Sequence, residues 1–292
     1  MNILLIGSKG QLAHDVVQVM SGTHVIKGVD LPEVDITDPG QVMAVVQATG
    51  PELIINCAAY TKVDACETHS DLARAVNAVG PGLLADAART CGARLIHIST
   101  DYVFDGLRPA PVPYVEDDPP GPQCQYGVTK LEGEQVIAAS GARYAILRTA
   151  WLYGVHGHNF PKVMLKQAVC HPDRELKVVN DQHGSPTWSW RLALQIARVS
   201  EADAEGLFHA TAEGACTWYD FAVRFLEQMA VPFRMRPCAS SEYPTPARRP
   251  HNSILENRRL KQAGLNVMED WRVDVDEYVR RHRAQLLVEV GI

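Results

Sequence analysis

A tyrosine and a lysine four residues apart form the pattern with the clearest chemical meaning in this sequence. Tyr126 and Lys130 lie in Tyr-Gly-Val-Thr-Lys, and in a helix this spacing places both side chains on one face. A phenol with a pKa near ~10 is a poor acid-base catalyst at neutral pH, but a neighbouring cation lowers that pKa. The pair therefore predicts a proton donor, although an exposed helical pair has the same spacing.

An apolar run upstream ends abruptly in hydroxyl and carboxylate side chains. Residues 95–98 are followed by Ser99, Thr100 and Asp101, a pattern typical of a buried parallel strand with polar groups at its carboxyl end. Ligands of open α/β sheets bind at that edge. We therefore expect Thr100 to hold a carbonyl oxygen that Tyr126 protonates.

The chain opens with a predicted strand, a glycine turn and an amphipathic helix. Gly7 and Gly10 belong to the pattern Gly-x-x-Gly-x-x-Ala, which lets the backbone approach a pyrophosphate at the start of a helix. Asp30 ends the second predicted strand about twenty residues later, where an acid meets the ribose 2′-hydroxyl. The pattern predicts a dinucleotide site, with NADH favoured over NADPH, and a purely structural turn is the alternative.

Repeated strand and helix patterns up to residue 150 predict an α/β fold with a doubly wound, Rossmann-like parallel sheet. Asp38 precedes Pro39 and is expected to cap a helix. A further helix is predicted from about residue 70 to residue 89, with Leu72 and Val79 among its buried positions. Asn77 within it is interpreted as a polar side chain that makes hydrogen bonds in the packed interior.

The regular alternation is lost beyond Gly154. We expect a dinucleotide-binding domain over 1–150, with returns to the main sheet near 177–211. A smaller, discontinuous C-terminal substrate domain is expected over 151–176 and 212–292. Aromatic residues at helical spacing, including Trp218, are interpreted as core. Arg248 and Arg249 lie between prolines and suit bidentate binding of a diphosphate, although a solvated basic turn also fits Arg248.

Composition narrows the class of protein. The 292 residues are 46% hydrophobic, so a soluble globular protein is expected. The net charge is −6, so we do not expect the protein to bind nucleic acid. No apolar stretch approaches the ~20 residues of a membrane span, so no membrane partner is expected and the cytoplasm is the default location. Seven scattered cysteines predict neither disulfides nor a zinc site, but small buried side chains. His156 and His158 lack a third ligand, so no metal is predicted.

Longer motifs give the sequence a family resemblance. It resembles the extended short-chain dehydrogenase/reductases, in the dTDP-4-dehydrorhamnose reductase branch, over nearly its whole length. The motifs that carry the resemblance are Gly7-x-x-Gly10-Gln11-Leu12, Asn56-Cys57-Ala58-Ala59-Tyr60-Thr61, Ser99-Thr100-Asp101-Tyr102-Val103-Phe104, Tyr126-x-x-x-Lys130, Arg148-Thr149-x-Trp151, Asn180-Asp181-Gln182-x-Gly184-x-Pro186-Thr187 and Tyr243-Pro244-Thr245-Pro246-Ala247-x-Arg249-Pro250. The last three are the most specific for this branch.

The resemblance implies roles for individual residues. Catalysis is expected from Thr100, Tyr126 and Lys130. The cofactor, NADPH or NADH, is expected to contact Gly7, Gly10, Gln11, Leu12, Asp30, Asp35, Ile36, Ala58, Ala59, Tyr60, Thr61, Tyr126 and Lys130. A dTDP-sugar substrate is expected to contact Thr100, Asp101, Trp151, Asn159 and Arg249.

The reaction that the resemblance implies is reduction of the C4 ketone of dTDP-4-dehydro-6-deoxy-L-mannose to dTDP-L-rhamnose, the last step of dTDP-rhamnose biosynthesis. One alternative is another nucleotide-sugar 4-ketoreductase. The other is a non-catalytic, NADP-binding regulatory subunit, and the presence of Thr100, Tyr126 and Lys130 argues against it.

Magnesium bridges the dimer in some relatives, at positions that align with Asp15, Trp190 and the C-terminal end of this chain. Trp190 offers no oxygen, and Mg²⁺ needs several hard oxygen donors in near-octahedral geometry. We therefore expect no metal, and a homodimer that is not bridged by magnesium. Trp190 is expected to be core or an apolar contact.

The acid at position 30 generates a prediction on cofactor choice. Asp30→Ala should raise the ratio of NADPH to NADH efficiency, because a carboxylate near the ribose repels a 2′-phosphate. Steady-state kinetics with each cofactor measure this ratio, and an unchanged value would mean that Asp30 does not face the 2′ position.

Overall fold

The computed structural model describes residues 1–291. Its strands are β1 (Asn2–Ile6), β2 (Val25–Val29), β3 (Leu53–Asn56), β4 (Arg94–Thr100), β5 (Arg143–Thr149), β6 (Leu152–Tyr153), β7 (Glu175–Val179), β8 (His183–Gly184), β9 (Thr187–Trp188), β10 (Gly206–His209), β11 (Cys216–Thr217) and β12 (Arg234–Cys238). Six of them form an all-parallel sheet in the order β10-β5-β4-β3-β1-β2. The predicted fold class is thus confirmed, and the strand order reverses beside β1, where ligands bind in such sheets.

Helices cover both faces of this sheet and build the rest of the molecule. They are α1 (Gln11–Met20), α2 (Pro39–Thr49), α3 (Val63–Cys66), α4 (Ser70–Arg74), α5 (Gly80–Cys91), α6 (Gln125–Ala139), α7 (Phe160–Cys170), α8 (Ser189–Glu201), α9 (Trp218–Met229), α10 (Arg258–Gln262) and α11 (Trp271–Glu289). Asp38 caps α2 as predicted, since its side chain accepts from the Gly40 and Gln41 backbone N–H groups. No helix within residues 1–291 combines the length and the apolarity that crossing a membrane requires.

Within residues 1–291, hydrophobic side chains form three large cores and a small fourth cluster that contains Phe104 and Tyr114. Side chains of α1 and α8 pack on one face of the sheet, and side chains of α2, α5 and α6 pack on the other. The central strands are buried on both faces, which explains their continuous apolar sequences. A third core is rich in aromatic residues and joins α7, α9 and α11, with Phe221, Phe225 and Tyr278 fully buried.

One expected return to the central sheet is not found. Residues 177–179 belong to β7, which pairs in parallel with β12 in a separate two-stranded sheet. The later part of the expected return does reach the main body, because α8 packs on α1 and β10 pairs with β5. Burial alternates along β7, as in a half-buried strand, whereas a central strand of a parallel sheet is buried throughout.

The helix predicted from residue 70 to residue 89 is interrupted by a π-helical turn at Ala75–Val79. Leu72 before the turn and Val79 at its end are exposed rather than buried as predicted, and the extra residue of the turn shifts the helical register of the residues after it. Asn77 instead points inward, where its amide accepts from Tyr60 N at 2.8 Å and donates to Tyr60 O at 3.2 Å. The predicted hydrogen-bonding role of Asn77 is therefore confirmed.

The cysteines are less uniformly buried than expected. Cys66, Cys124, Cys216 and Cys238 are buried, Cys57 is half-buried, and Cys91 and Cys170 are exposed. Both exposed cysteines are the last residues of helices, α5 and α7. The burial pattern of a helix constrains its final residue least, because the chain leaves the packed face there.

Helix α6 approaches the π-helical turn closely at Gly133. A Cβ atom at this position would collide with the Asn77 carbonyl oxygen. Glycine is therefore needed here to bring α6, and with it Tyr126 and Lys130, against its neighbours.

Gly133→Ala should lower the thermal unfolding midpoint by several degrees, because overpacking a rigid backbone contact costs about 1–3 kcal/mol. Gly22→Ala is the matched control, since a Cβ at Gly22 meets open space. Differential scanning calorimetry compares them, and equal midpoints would show that the α6 contact adapts freely.

Candidate active site

The residues with predicted chemistry converge on one cleft at the carboxyl edge of the central sheet. Its volume is about 470 Å³. The cleft is lined by Gly10, Gln11, Leu12, Cys57, Ala59, Thr61, Val63, Ile98, Ser99, Thr100, Asp101, Tyr102, Tyr126, Lys130, Thr149, Ala150, Trp151, Leu152, His158 and Trp218. Strands β4 and β5 deliver their carboxyl ends to it, and α6 contributes Tyr126 and Lys130.

The glycine turn forms a cradle at the start of α1. Gly7 has φ +76°, and a Cβ there would lie 2.7 Å from the Ala58 backbone nitrogen. Gly10 donates its N–H to the Gly7 carbonyl at 2.9 Å, and α1 begins at Gln11. Free N–H groups at such a helix start suit a pyrophosphate, so this turn fits a dinucleotide, with Gly7 and Ala58 supporting it from behind.

Asp30 lies directly after β2, beside this turn. Its carboxylate accepts from the Lys9 backbone N–H at 2.9 Å and from the Leu31 N–H at 2.7 Å. The Lys9 side-chain nitrogen donates to the Leu31 carbonyl at 2.6 Å. The acid is thus fixed at the turn as the sequence predicts, with a cation beside it that the sequence analysis did not consider.

Some of the other predicted cofactor residues line the cleft, and the rest lie outside it. Ala59 and Thr61 line the cleft, and Tyr60 between them is held through its backbone by Asn77. Asp35 and Ile36 lie outside the cleft. The Asp35 carboxylate accepts from Thr37, and Ile36 is buried against Gly80.

Thr100 and Tyr126 lie together in the cleft. The Thr100 hydroxyl donates to Asp101 Oδ1 at 3.0 Å, and both Thr100 and Tyr126 line the cleft. Burial raises the pKa of Tyr126 above its usual range, and the nearby Thr100 hydroxyl opposes this rise. The phenol is therefore protonated at neutral pH, which is the form that can donate a proton.

Lys130 is buried, and its side-chain nitrogen is bound beneath the cleft rather than to Tyr126. It donates to the Ile98 carbonyl at 2.7 Å and lies 3.2 Å from His97 Nε2. Burial lowers the pKa of Lys130 to about 8. The expectation that Lys130 lowers the pKa of Tyr126 is not met in this arrangement, because the nitrogen is held by His97 and Ile98.

Asp101 is almost wholly buried next to the reacting groups. Its Oδ2 atom has no hydrogen-bond partner among residues 1–291, and burial raises the pKa of Asp101 to about 6. A buried carboxylate oxygen without a hydrogen-bond partner costs free energy unless a ligand donates a hydrogen bond to it. Its position in the cleft suits a hydroxyl group of a bound substrate.

Trp151 and Trp218 form a stacked pair at the mouth of the cleft. Their ring centroids are 3.5 Å apart at an angle of 8°. Trp151 has φ +48°, an unusual conformation for a large side chain, and a Cβ on Gly184 would collide with its indole. Trp218 packs against the third core, as predicted, but it is only half-buried and also lines the cleft. Its place at the first turn of α9 was the sequence feature that could have indicated this second role.

A second cavity of about 800 Å³ adjoins the cleft and shares Tyr102 and Trp218 with it. Arg248 and Arg249 line this cavity. Arg249 donates to the Asp64 carboxylate at 2.8 Å, while its buried Nη1 atom has no partner among the described residues. The cavity therefore presents a fixed guanidinium with one donor group available for an anion.

Asn159 is a predicted substrate residue that the structure places elsewhere. It lines neither cavity and caps α7 through Lys162 N at 3.4 Å. Its amide nitrogen donates to Gln11 Oε1 and to the Gly154 carbonyl, each at 2.7 Å. Asn159 is therefore a support of the cofactor turn, because its amide nitrogen and oxygen are already hydrogen-bonded.

The region considered for magnesium contains no cluster of three or more His, Cys, Asp or Glu residues placed to hold a metal, as far as residues 1–291 are concerned. Asp15 is buried and hydrogen-bonded by Ser189. Trp190 packs near Trp188, with the Arg281 guanidinium 5.2 Å from its ring. Ile292, at the C-terminal end, lies outside the described residues.

A parallel sheet with its switch point at β1, a glycine cradle, and a Thr-Tyr-Lys group in one cleft define an NAD(P)H-dependent oxidoreductase of the extended short-chain dehydrogenase/reductase class. Residues 1–284 match the model of the RmlD substrate binding domain family. The chain belongs to this family.

Individual relatives are similar to this chain over nearly its full length. The dTDP-4-dehydrorhamnose reductase of Escherichia coli is 36% identical over 94% of this chain and 96% of its own. A probable dTDP-4,6-dihydroxy-2-methyloxan-3-one 4-ketoreductase of Streptomyces antibioticus is 37% identical over 93% of this chain and 92% of its own. The crystal structure of the Bacillus anthracis dTDP-4-dehydrorhamnose reductase in complex with NADP has a TM-score of 0.92 and 35% identity, over 96% of this chain and 98% of its own.

The tryptophan pair generates a testable prediction. Trp218→Ala should abolish the exciton circular-dichroism band of the stacked indoles. It should also lower catalytic efficiency roughly threefold to tenfold, since an aromatic pair contributes about 0.5–1.5 kcal/mol. Phe225→Leu on the same helix controls for weakened packing of α9. Full activity in Trp218→Ala would show that the pair is only a packing contact.

Proposed function

We propose that this protein reduces the C4 ketone of dTDP-4-dehydro-6-deoxy-L-mannose to dTDP-L-rhamnose with NADPH or NADH, the last step of dTDP-rhamnose biosynthesis. The observation that carries the proposal is that Thr100, Tyr126 and Lys130 line one cleft together with Gly10 of the glycine cradle. A proton donor and a dinucleotide site in one cleft are what carbonyl reduction needs. The substrate follows from the names of the full-length relatives.

The residues of this chain perform the proton chemistry and the positioning. Bound reduced nicotinamide supplies the hydride. Tyr126 donates the proton to the oxygen of the former ketone. The single O–H of Thr100 donates to Asp101 in the ligand-free protein, and in the complex it turns to donate to the substrate oxygen and stabilise the charge developing there. Lys130 contributes to the nicotinamide ribose site.

The sugar nucleotide is proposed to extend from the cleft into the second cavity. Trp151, stacked on Trp218, forms an apolar wall beside the reacting sugar. Arg249 has a buried donor group without a partner among the described residues, which suits a diphosphate oxygen. In this proposal the dinucleotide domain, residues 1–150 with α8 and β10, carries the cofactor, and the remainder of the chain completes the substrate site.

A second candidate function is reduction of a different dTDP-linked 4-keto sugar. The relative from Streptomyces antibioticus, named as a probable 4-ketoreductase of such a sugar, supports it. The two candidates use the same proton donor and differ in the sugar that the cleft accepts. Values of kcat/KM for each purified 4-keto sugar nucleotide distinguish the two candidates, and product NMR gives the configuration formed at C4.

The assembly state is proposed to be a homodimer that does not depend on magnesium. The Trp190 ring packs near Trp188, and the Arg281 guanidinium lies beside the same ring. A guanidinium beside this position disfavours a bound cation. Sedimentation in EDTA and in MgCl₂ compares the two conditions, and both should give the same species.

Tyr126→Phe keeps the ring and removes the proton, so turnover of the 4-keto sugar nucleotide should fall by about two to four orders of magnitude. NADPH oxidation measures this loss, and the unfolding midpoint shows that the fold is intact. Tyr144→Phe, on β5, is the control because it makes the same chemical change away from the cleft. Activity within threefold of the unmodified protein would contradict the role of Tyr126.

A further inference from the structure

The loop between β6 and α7, residues 154–159, lies against the start of α1. Gly157 has φ +71°, and a Cβ there would lie 3.4 Å from Gln11 Cβ. The Asn159 amide nitrogen donates to Gln11 Oε1 at 2.7 Å. Because Gln11 is the first residue of α1, the residue between Gly157 and Asn159 is held at the N-terminal end of this helix.

That residue is His158. Its side chain is exposed, and it lines the cleft together with Gly10, Gln11 and Leu12. The sequence analysis considered this histidine only as a metal ligand, and the structure instead brings it to the glycine cradle.

Further contacts hold the loop from two sides. The Lys162 nitrogen on α7 donates to the Val155 carbonyl at 2.8 Å and to the Gly157 carbonyl at 3.3 Å. On the α1 side the His156 ring stacks on the His14 ring, with centroids 4.1 Å apart. A side chain carried by a fixed loop loses less conformational entropy when it binds a ligand.

The start of α1 supplies backbone donors without a charged side chain. Its first three residues are Gln11, Leu12 and Ala13, all uncharged. Gly10 precedes them and has no side chain with which to cap the helix. Free N–H groups and the positive end of the helix dipole bind one side of a diphosphate. Each phosphate of a dinucleotide carries a negative charge, so a basic side chain is needed on the other side.

Among the described residues that line the cleft, Lys130 and His158 carry the basic side chains. Lys130 is held beneath the cleft by the Ile98 carbonyl. Lys9 belongs to the glycine turn, but its side-chain nitrogen donates to the Leu31 carbonyl. His158 is therefore the basic group best placed to reach an anion bound at the start of α1.

We propose that His158 binds the diphosphate of the dinucleotide and closes the glycine cradle from the side of the β6–α7 loop. Its imidazole N–H donates to a phosphate oxygen that the α1 N–H groups leave uncovered. A dTDP-sugar also carries a diphosphate, but the contacts of Gly157 and Asn159 with Gln11 favour the cofactor. The inference rests on the dinucleotide site of the proposed function and not on the identity of the sugar.

The test is binding of ADP-ribose and of NADPH, measured by isothermal titration calorimetry without turnover. ADP-ribose carries the diphosphate but lacks the nicotinamide. His158→Ala should weaken both ligands by the same factor, roughly fivefold to thirtyfold, toward the low end for a hydrogen bond to a charged group because His158 is exposed. A loss confined to NADPH would assign His158 to the nicotinamide and overturn the proposal.

A change of charge sharpens the test. His158→Asp should weaken ADP-ribose more than His158→Ala does, because a carboxylate repels the diphosphate. His171→Ala and His171→Asp are the matched controls, since His171 is exposed at the other end of α7 and lies outside both cavities. Both controls should bind ADP-ribose as the unmodified protein does, and equal losses at the two positions would overturn the proposal.

Binding of dTDP separates the two possible sources of the diphosphate. His158→Ala should bind dTDP with unchanged affinity, and a loss confined to dTDP would overturn the assignment to the cofactor. Failure of the unmodified protein to bind ADP-ribose would overturn it as well. If the unmodified protein does not reduce the 4-keto sugar nucleotide, while His158→Ala still weakens ADP-ribose, the proposed function fails and the assignment of His158 stands.

Discussion

The site depends on a lysine that is buried under the cleft and held by fixed partners. Its nitrogen reaches the Ile98 carbonyl at 2.7 Å, which is possible only because α6 packs very closely on its neighbours. Gly127 and Gly133 permit this approach, since a Cβ on either would collide with a carbonyl oxygen, of Tyr102 and of Asn77 respectively. Burying an amine in this way is costly, and the surrounding bonds offset that cost.

A buried ion pair fixes the same helix against the sheet. Arg148 on β5 and Glu134 on α6 form a bidentate pair at 2.9 and 2.7 Å, and Ser99 on β4 donates to the same carboxylate. A pair with both partners buried adds little net stability but is very costly to break. It therefore restricts where α6 can lie, which in turn determines the distance between Tyr126 and the carboxyl end of β4.

The cofactor turn and the aromatic core are joined through a second set of polar contacts. Asn159 at the start of α7 donates to Gln11 at the start of α1. Tyr278 on α11 donates to the Gly154 carbonyl at 3.0 Å, the same carbonyl that Asn159 contacts. These contacts join the start of α1 to α7 and α11, and both of these helices pack against α9, which begins at Trp218.

Local sequence patterns determined the sheet, the glycine turn, the Asp38 cap and the spacing of Tyr126 and Lys130, because strand alternation, φ requirements and helical periodicity act within a few residues. Tertiary contacts decided the rest. The π-helical turn that directs Asn77 inward, the exposure of Trp218 to the cleft, and the pairing of β7 with β12 depend on partners distant in sequence. The partner of Lys130 is likewise His97, on a neighbouring strand, since only packing brings a histidine without a recognisable motif within 3.2 Å of the lysine.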